Sequence, residues 1–244
     1  MDLSLIASII IIVAFSIIHL IECIGIHARY AGYICEKGGI GYSIQNSTFV
    51  FTRFFYILLM PLMGYIVDHG VSKGQFFYTL HFALIGAGMS TLLVFLSKSI
   101  FIDYYTRVIR SYTTMEKGLI YSIIKPTKKD ASKKLELIEP NNINLNYMLT
   151  TSFVYTVYSL GVFMSFTLAF NFPEYRSSLS HLSGVVNGFA TLVFTMKVDP
   201  VFSLAIDKKS SDFPSLFKSF ILGRLIGVGL FSQIGIIGVH FING

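Results

Sequence analysis

Six stretches of nearly unbroken apolar character run along the chain, at about Leu5–Ile26, Tyr42–Val67, Phe76–Leu96, Tyr147–Phe172, Leu182–Ile206 and Leu216–Ile242. Each approaches or exceeds the roughly 20 residues a helix needs to cross a hydrocarbon core, and none keeps the two-residue alternation of a membrane barrel strand. The pattern predicts an all-α polytopic membrane protein with six transmembrane helices. The second and fifth stretches carry polar interruptions, but strongly apolar residues flank them. Connections are short except for residues 98–146. Within that segment Ile100–Tyr112 sets apolar and basic groups at helical spacing, which predicts an amphipathic helix on the membrane surface. Lys125–Lys134 reads as a charged, solvated stretch. The chain thus divides into a first three-helix unit (1–97), a basic connection (98–146) and a second three-helix unit (147–244).

Composition agrees with lipid as the solvent. Of 244 residues, 53% are hydrophobic and 13% are charged, against about 25% charged in soluble domains. The formal charge of +6 does not point to nucleic acid, because the basic residues gather in one connection. Placing residues 98–146 in the cytoplasm puts Arg29, Lys37, Lys98, Arg107, Arg110, Lys117, Lys125, Lys128, Lys129, Lys133, Lys134, Lys208, Lys209 and Lys218 on the inner side. Only Lys73 and Arg176 fall outside, and the bias predicts both termini outside. The first apolar stretch is preceded only by Asp2 among charged residues and lacks a small-residue cleavage pattern, so it is expected to be a retained helix rather than a signal peptide. Cys23 and Cys35 have no metal-ligand spacing and read as packing residues.

The two halves echo each other. Thr48-Phe-Val-Phe-Thr52 matches Thr191-Leu-Val-Phe-Thr195, and Leu84-Ile-Gly-Ala-Gly88 matches Leu225-Ile-Gly-Val-Gly229. Pro61 precedes Asp68 by seven residues, as Pro200 precedes Asp207. The matches keep their order at a nearly constant offset. A repeat with an odd number of spans places its second copy upside down, so the expectation is two inverted three-helix repeats with a site between them near the midplane.

Charges inside the spans carry the chemistry, since each costs roughly 2.5–3.5 kcal/mol at the bilayer centre on insertion scales. Arg53 lies in the middle of the second span, with Asn46 on the same helical face. Arg224 sits in the sixth span among Gly223, Gly227, Gly229, Gly235 and Gly238, small residues that permit close helix packing. Lys197, Asp199 and Pro200 stand together in the fifth span; two residues apart on a regular helix, Lys197 and Asp199 face different neighbours. His19, Glu22 and Arg29 share a face if the first helix continues that far, with Glu22 a counter-ion for Arg29 or another buried cation, or a proton carrier. Pro61 and Pro200 interrupt backbone hydrogen bonding and are the candidate hinges. Three cations, Arg53, Lys197 and Arg224, against Glu22 and Asp199 predict a cationic cavity suited to an anion, and arginine's planar fork matches phosphate. No glycine-rich phosphate loop, HExxH or GxSxG in strand-to-helix context occurs, so no cofactor, metal or nucleotide is expected.

At these residues the sequence resembles the Amj family, alternate lipid II flippases of bacteria. The carriers are His19-Leu-Ile-Glu22 with Arg29-Tyr-Ala-Gly32, the polar second span with Asn46 and Arg53, and Val185-Val-Asn-Gly188 with Ala190-Thr191 and Val198-Asp199-Pro200. Cys23 and Phe54 depart from the family pattern, standing where other small or polar types are expected. The resemblance implies a multi-pass protein of the bacterial cytoplasmic membrane that moves lipid II, or another undecaprenyl-pyrophosphate-linked precursor of peptidoglycan, rather than an enzyme. Arg53, Lys197, Arg224 and Arg29 would then hold the pyrophosphate or head group, with hydrogen bonds from Asn46 and Asn187; Glu22, Asp199 and His19 would balance or couple charge. Two other readings remain open: a membrane enzyme acting on an isoprenoid phosphate, and an ion or small-solute transporter. The number of subunits is not legible.

Overall fold

The computed structural model describes residues 2–115, 118–128 and 142–242. Most of Lys125–Lys134, together with Lys117, lies outside the described residues. Among those described, every regular element is helical. Three helices open the chain: α1 (Leu3–Ile34), α2 (Gly38–Asp68) and α3 (Lys73–Leu96). Two shorter ones follow, α4 (Lys98–Met115) and α5 (Leu119–Ile124). Then comes α6 (Leu145–Asn171), and α7 (Arg176–Val193) leads through a π-helical turn, Phe194–Val198, into α8 (Asp199–Asp207). Last, α9 (Phe213–Ile226) passes through a second π turn, Gly227–Phe231, into α10 (Ser232–Ile242). Six of the resulting helical runs are long and apolar enough to cross a membrane. Side-chain caps start three of them: Asp2, Ser72 and Asn144 accept from the backbone N–H of Ser4, Gln75 and Tyr147, satisfying donors that the first turn leaves free.

Two boundaries differ most from the hydropathy pattern. The first helix runs to Ile34 rather than stopping at Ile26, because His27, Ala28, Arg29 and Tyr30 are buried against other helices. The fifth span begins at Pro173, before Leu182. The amphipathic helix of the long connection is present as α4, and its apolar face is docked on protein: Ile102, Tyr105, Val108 and Ile109 are buried, and Tyr105, Val108 and Ile109 pack with Ala28, Ala31 and Ile44.

The two ends of the bundle are distinct. At one end, Lys209 Nζ lies 2.6 Å from Glu36 Oε2 and the Tyr33 hydroxyl donates to the Ser210 carbonyl. The lysine holds the exposed Glu36 carboxyl below its ordinary range. The Cys35 thiol meets the Thr106 carbonyl there, so the α1–α2 turn, α4 and the α8–α9 turn share this end. At the other end, Arg176 Nη1 lies 3.7 Å from Asp68 Oδ1, Gln75 donates to Ser4, and His240 stacks on Phe77. Ser4 and His240 therefore lie at the end of the bundle opposite α4.

Small residues set the helix contacts, as expected where lipid gives helices no hydrophobic reason to associate. α1 crosses α2 at Gly32 and Gly41: a Cβ on Gly41 would lie 2.5 Å from the Ala28 carbonyl oxygen and 3.0 Å from the Gly32 Cα. Both obstacles are backbone. Gly41→Val is therefore expected to cost about 1–3 kcal/mol through overpacking, read as a lower melting midpoint in detergent. α3 meets the second π turn at another such crossing, where a Cβ on Gly88 would lie 3.0 Å from the Gly229 Cα.

Candidate functional site

A cavity of about 480 Å³ opens between the second and fifth spans. One wall is a stripe of α2 at helical spacing: Tyr42, Gln45, Asn46, Phe49, Thr52, Arg53 and Tyr56. The facing wall is Asn187 and Thr191 of α7, Phe194 and Thr195 of the π turn, and Asp199. His19 and Glu22 of α1 with Tyr155 and Tyr158 of α6 close the back. The two flanking spans are also the least enclosed of the six.

Two ion pairs support this cavity from behind. Arg224 is fully buried, and its Nη2 donates to Glu22 Oε2 at 3.0 Å and to the His19 carbonyl at 3.3 Å. Its guanidinium lies 4.3 Å from the centre of the Tyr155 ring. Arg29, 1% exposed, donates through Nη1 to Asp199 Oδ1 at 3.0 Å and through Nη2 to Ser203 at 2.7 Å, with Gln45 at 3.4 Å and the Tyr42 ring 4.8 Å away. Such pairs offset the desolvation of an intramembrane charge. Arg53 differs: it has no acidic or hydrogen-bonding partner among the described residues.

Asp199 and Arg29 also separate two spaces. Asp199 faces the central cavity, whereas Arg29 faces a smaller one of about 170 Å³ with Gly38, Gly39, Ser203, Ile206 and Asp207, at the end of the bundle that carries α4; Tyr42 borders both. A third space of about 340 Å³, between Gly64, Asp68, Phe166, Arg176 and Ser180, lies at the opposite end. All three spaces border α2 and the fifth span.

The family model for Amj, described as an alternate to MurJ, matches residues 14–237. The chain belongs to the Amj family. No curated protein and no solved structure matches it. The matched region contains the whole cavity of this Amj chain and both ion pairs.

Of the residues singled out from the sequence, Arg53, Asn46, Asn187, His19, Glu22 and Asp199 line one cavity. Arg29 and Arg224 stand behind it as the partners of Asp199 and Glu22. The expected convergence of three cations does not occur. Lys197 is exposed and is not among the lining residues: two residues from Asp199 along the helical run, it points away from the side that faces the cavity. Pro200 is the second residue of α8, just after the π turn that ends at Val198, where its missing N–H coincides with the change of helical register. Pro61 is exposed and lies within an α2 that continues to Asp68.

Tyr42, Gln45, Tyr56, Tyr155 and Tyr158 line the cavity without having stood out in the amino-acid sequence. The signal for the α2 members is present, since 42, 45, 49, 52 and 56 recur at three- and four-residue steps on the face of Arg53.

Proposed function

We propose that this Amj-family chain flips lipid II, or a similar undecaprenyl-pyrophosphate-linked precursor of the cell wall, across the bacterial cytoplasmic membrane by alternating access. The observation that carries the reading is Arg53: an exposed guanidinium in the middle of α2, without a charged or hydrogen-bonding partner among the described residues, on the wall of a cavity whose Glu22 and Asp199 are both paired. Arg29 and Arg224, the buried cations beside the cavity, are both paired and are thereby accounted for by the architecture. A guanidinium fork matches two oxygens of a phosphate, while Asn46, Asn187 and the tyrosines offer hydrogen bonds to sugar and peptide groups. The low enclosure of α2 and α7 supports a side opening through which the isoprenoid tail stays in lipid.

Two inverted three-helix units would supply the alternation. Gly88 and Gly229, equivalent residues of the repeated Leu-Ile-Gly-x-Gly segments, approach each other at the crossing of α3 and the second π turn, as residues near a shared axis would. Pro200 and the π turn before it serve as the hinge of the second unit. The end carrying α4 faces the cytoplasm, with both termini outside, in keeping with the basic residues gathered there.

Expression in a strain depleted of its own lipid II flippase tests the function. Restored growth and cell shape are expected. Continued lysis, with the protein present in the membrane, would contradict it.

A further inference from the structure

Glu22 and Arg224 are unequally placed. Glu22 faces the cavity with 19% of its side chain exposed, whereas Arg224 is fully enclosed behind it. The Nη1 and Nε atoms of Arg224 have no hydrogen-bond partner among the described residues. Glu22 is thus the member of the pair that water and a ligand can reach, and it is the charge that cancels Arg224.

Ligand entry upsets the balance of charge. Asp199 is matched by Arg29 and Glu22 by Arg224, so Arg53 is the uncancelled cation of the cavity among the described residues. A pyrophosphate diester brings two negative charges. Resting on the flippase reading, we propose that entry of the pyrophosphate is accompanied by uptake of one proton on the Glu22 carboxylate.

The step is an acid–base one. A hydronium ion of the aqueous phase gives up one O–H bond and is left as water, its proton forms an O–H bond on Glu22, and the carboxyl becomes neutral. Arg224 is then uncancelled, and two cations face two anionic charges. A negative ligand beside a carboxylate favours its neutral form, so each event promotes the other.

The neighbours of Glu22 leave it as the acceptor. From α1 they are His19 and Cys23; from α2, Arg53 and Tyr56; from α6, Tyr155 and Tyr158; from α9, Arg224; and Asp199 lines the same cavity. The tyrosines and Cys23 carry their protons at neutral pH. Protonating His19 would set two cations side by side, with His19 Nδ1 3.4 Å from Arg224 Nη2. Asp199 is held by Arg29, which Ser203 and Gln45 fix in place.

Titration calorimetry of the purified full chain with a short-chain isoprenyl-pyrophosphate sugar, a diester that does not itself titrate near neutral pH, tests this. Comparing buffers of different ionisation enthalpy counts protons taken up on binding. The wild type is expected to take up about one, with Kd rising tenfold per pH unit above the titration of Glu22. Glu22→Gln, which keeps a hydrogen-bonding oxygen toward Arg224, is expected to bind with no uptake and no pH slope. Binding without proton uptake by the wild type would overturn the proposal and leave the flippase reading intact, whether or not the variant folds. Undiminished uptake in Glu22→Gln would overturn the assignment to Glu22. No binding at all would overturn the flippase reading itself, and this proposal with it.

Discussion

Arg53→Ala is expected to abolish rescue of a flippase-depleted strain while the protein still reaches the membrane in normal amount. The two halves of that expectation have separate causes. Arg53 holds no hydrogen bond or ion pair among the described residues, so its removal leaves no buried group unpaired, and such changes usually stay within about 0.5 kcal/mol. The ligand, in contrast, loses two charge-assisted hydrogen bonds worth about 1.5–3 kcal/mol each, roughly a hundredfold or more in affinity. Arg53→Lys keeps the charge without the fork and should fall between. Membrane abundance by immunoblot beside growth rescue checks both halves. Full rescue by Arg53→Ala, or its loss from the membrane, would remove the basis for reading Arg53 as a ligand group.

The second large effect concerns Glu22 and Arg224. Removing either partner of a buried pair leaves an uncompensated charge, at a cost of about 3–5 kcal/mol. Glu22→Ala strands a guanidinium that is fully enclosed, and Arg224→Ala strands a carboxylate on the cavity wall, which water can reach. Glu22→Ala should therefore be the more damaging, lowering the melting midpoint in detergent by on the order of 10 °C. The double replacement Glu22→Met with Arg224→Met should recover most of that loss, because apolar residues of similar volume often substitute for a buried pair at no net cost. It should nevertheless fail to rescue the flippase-depleted strain. Single variants as stable as the wild type would show that the pair is not the buried contact described, and a double variant that still flips would separate it from function.

The legibility of this molecule follows the range of each interaction. Apolar length alone reveals the six spans, because the bilayer demands it and each span supplies it from contiguous residues. A hydropathy pattern ends the first span at Ile26 since His27 and Arg29 follow, yet Arg29 is buried by Asp199, which lies 170 positions away. Likewise the partner of Glu22 is 202 positions distant. Local spacing cannot choose between such partners, so for Glu22 it leaves Arg29 and the other buried cations equally open. Proximity along the chain groups Lys197 with Asp199, but two residues apart on a helical run they point to different sides, and Asp199 reaches the cavity while Lys197 does not. The stripe of Tyr42, Gln45, Asn46, Phe49, Arg53 and Tyr56 is different. It is periodic and local, so the amino-acid sequence alone marks it as a polar face on a lipid-exposed helix.

Family membership and the geometry of the cavity meet at one residue. The most direct measurement of the account is a leaflet-exchange assay on purified protein in liposomes containing lipid II, scoring the fraction of head groups that an impermeant enzyme can modify. The wild type is expected to expose nearly all of them over time, whereas Arg53→Ala liposomes should stop at the half that began in the outer leaflet. Wild-type liposomes that stop at the same half as protein-free ones, or Arg53→Ala liposomes that match the wild type, would contradict it.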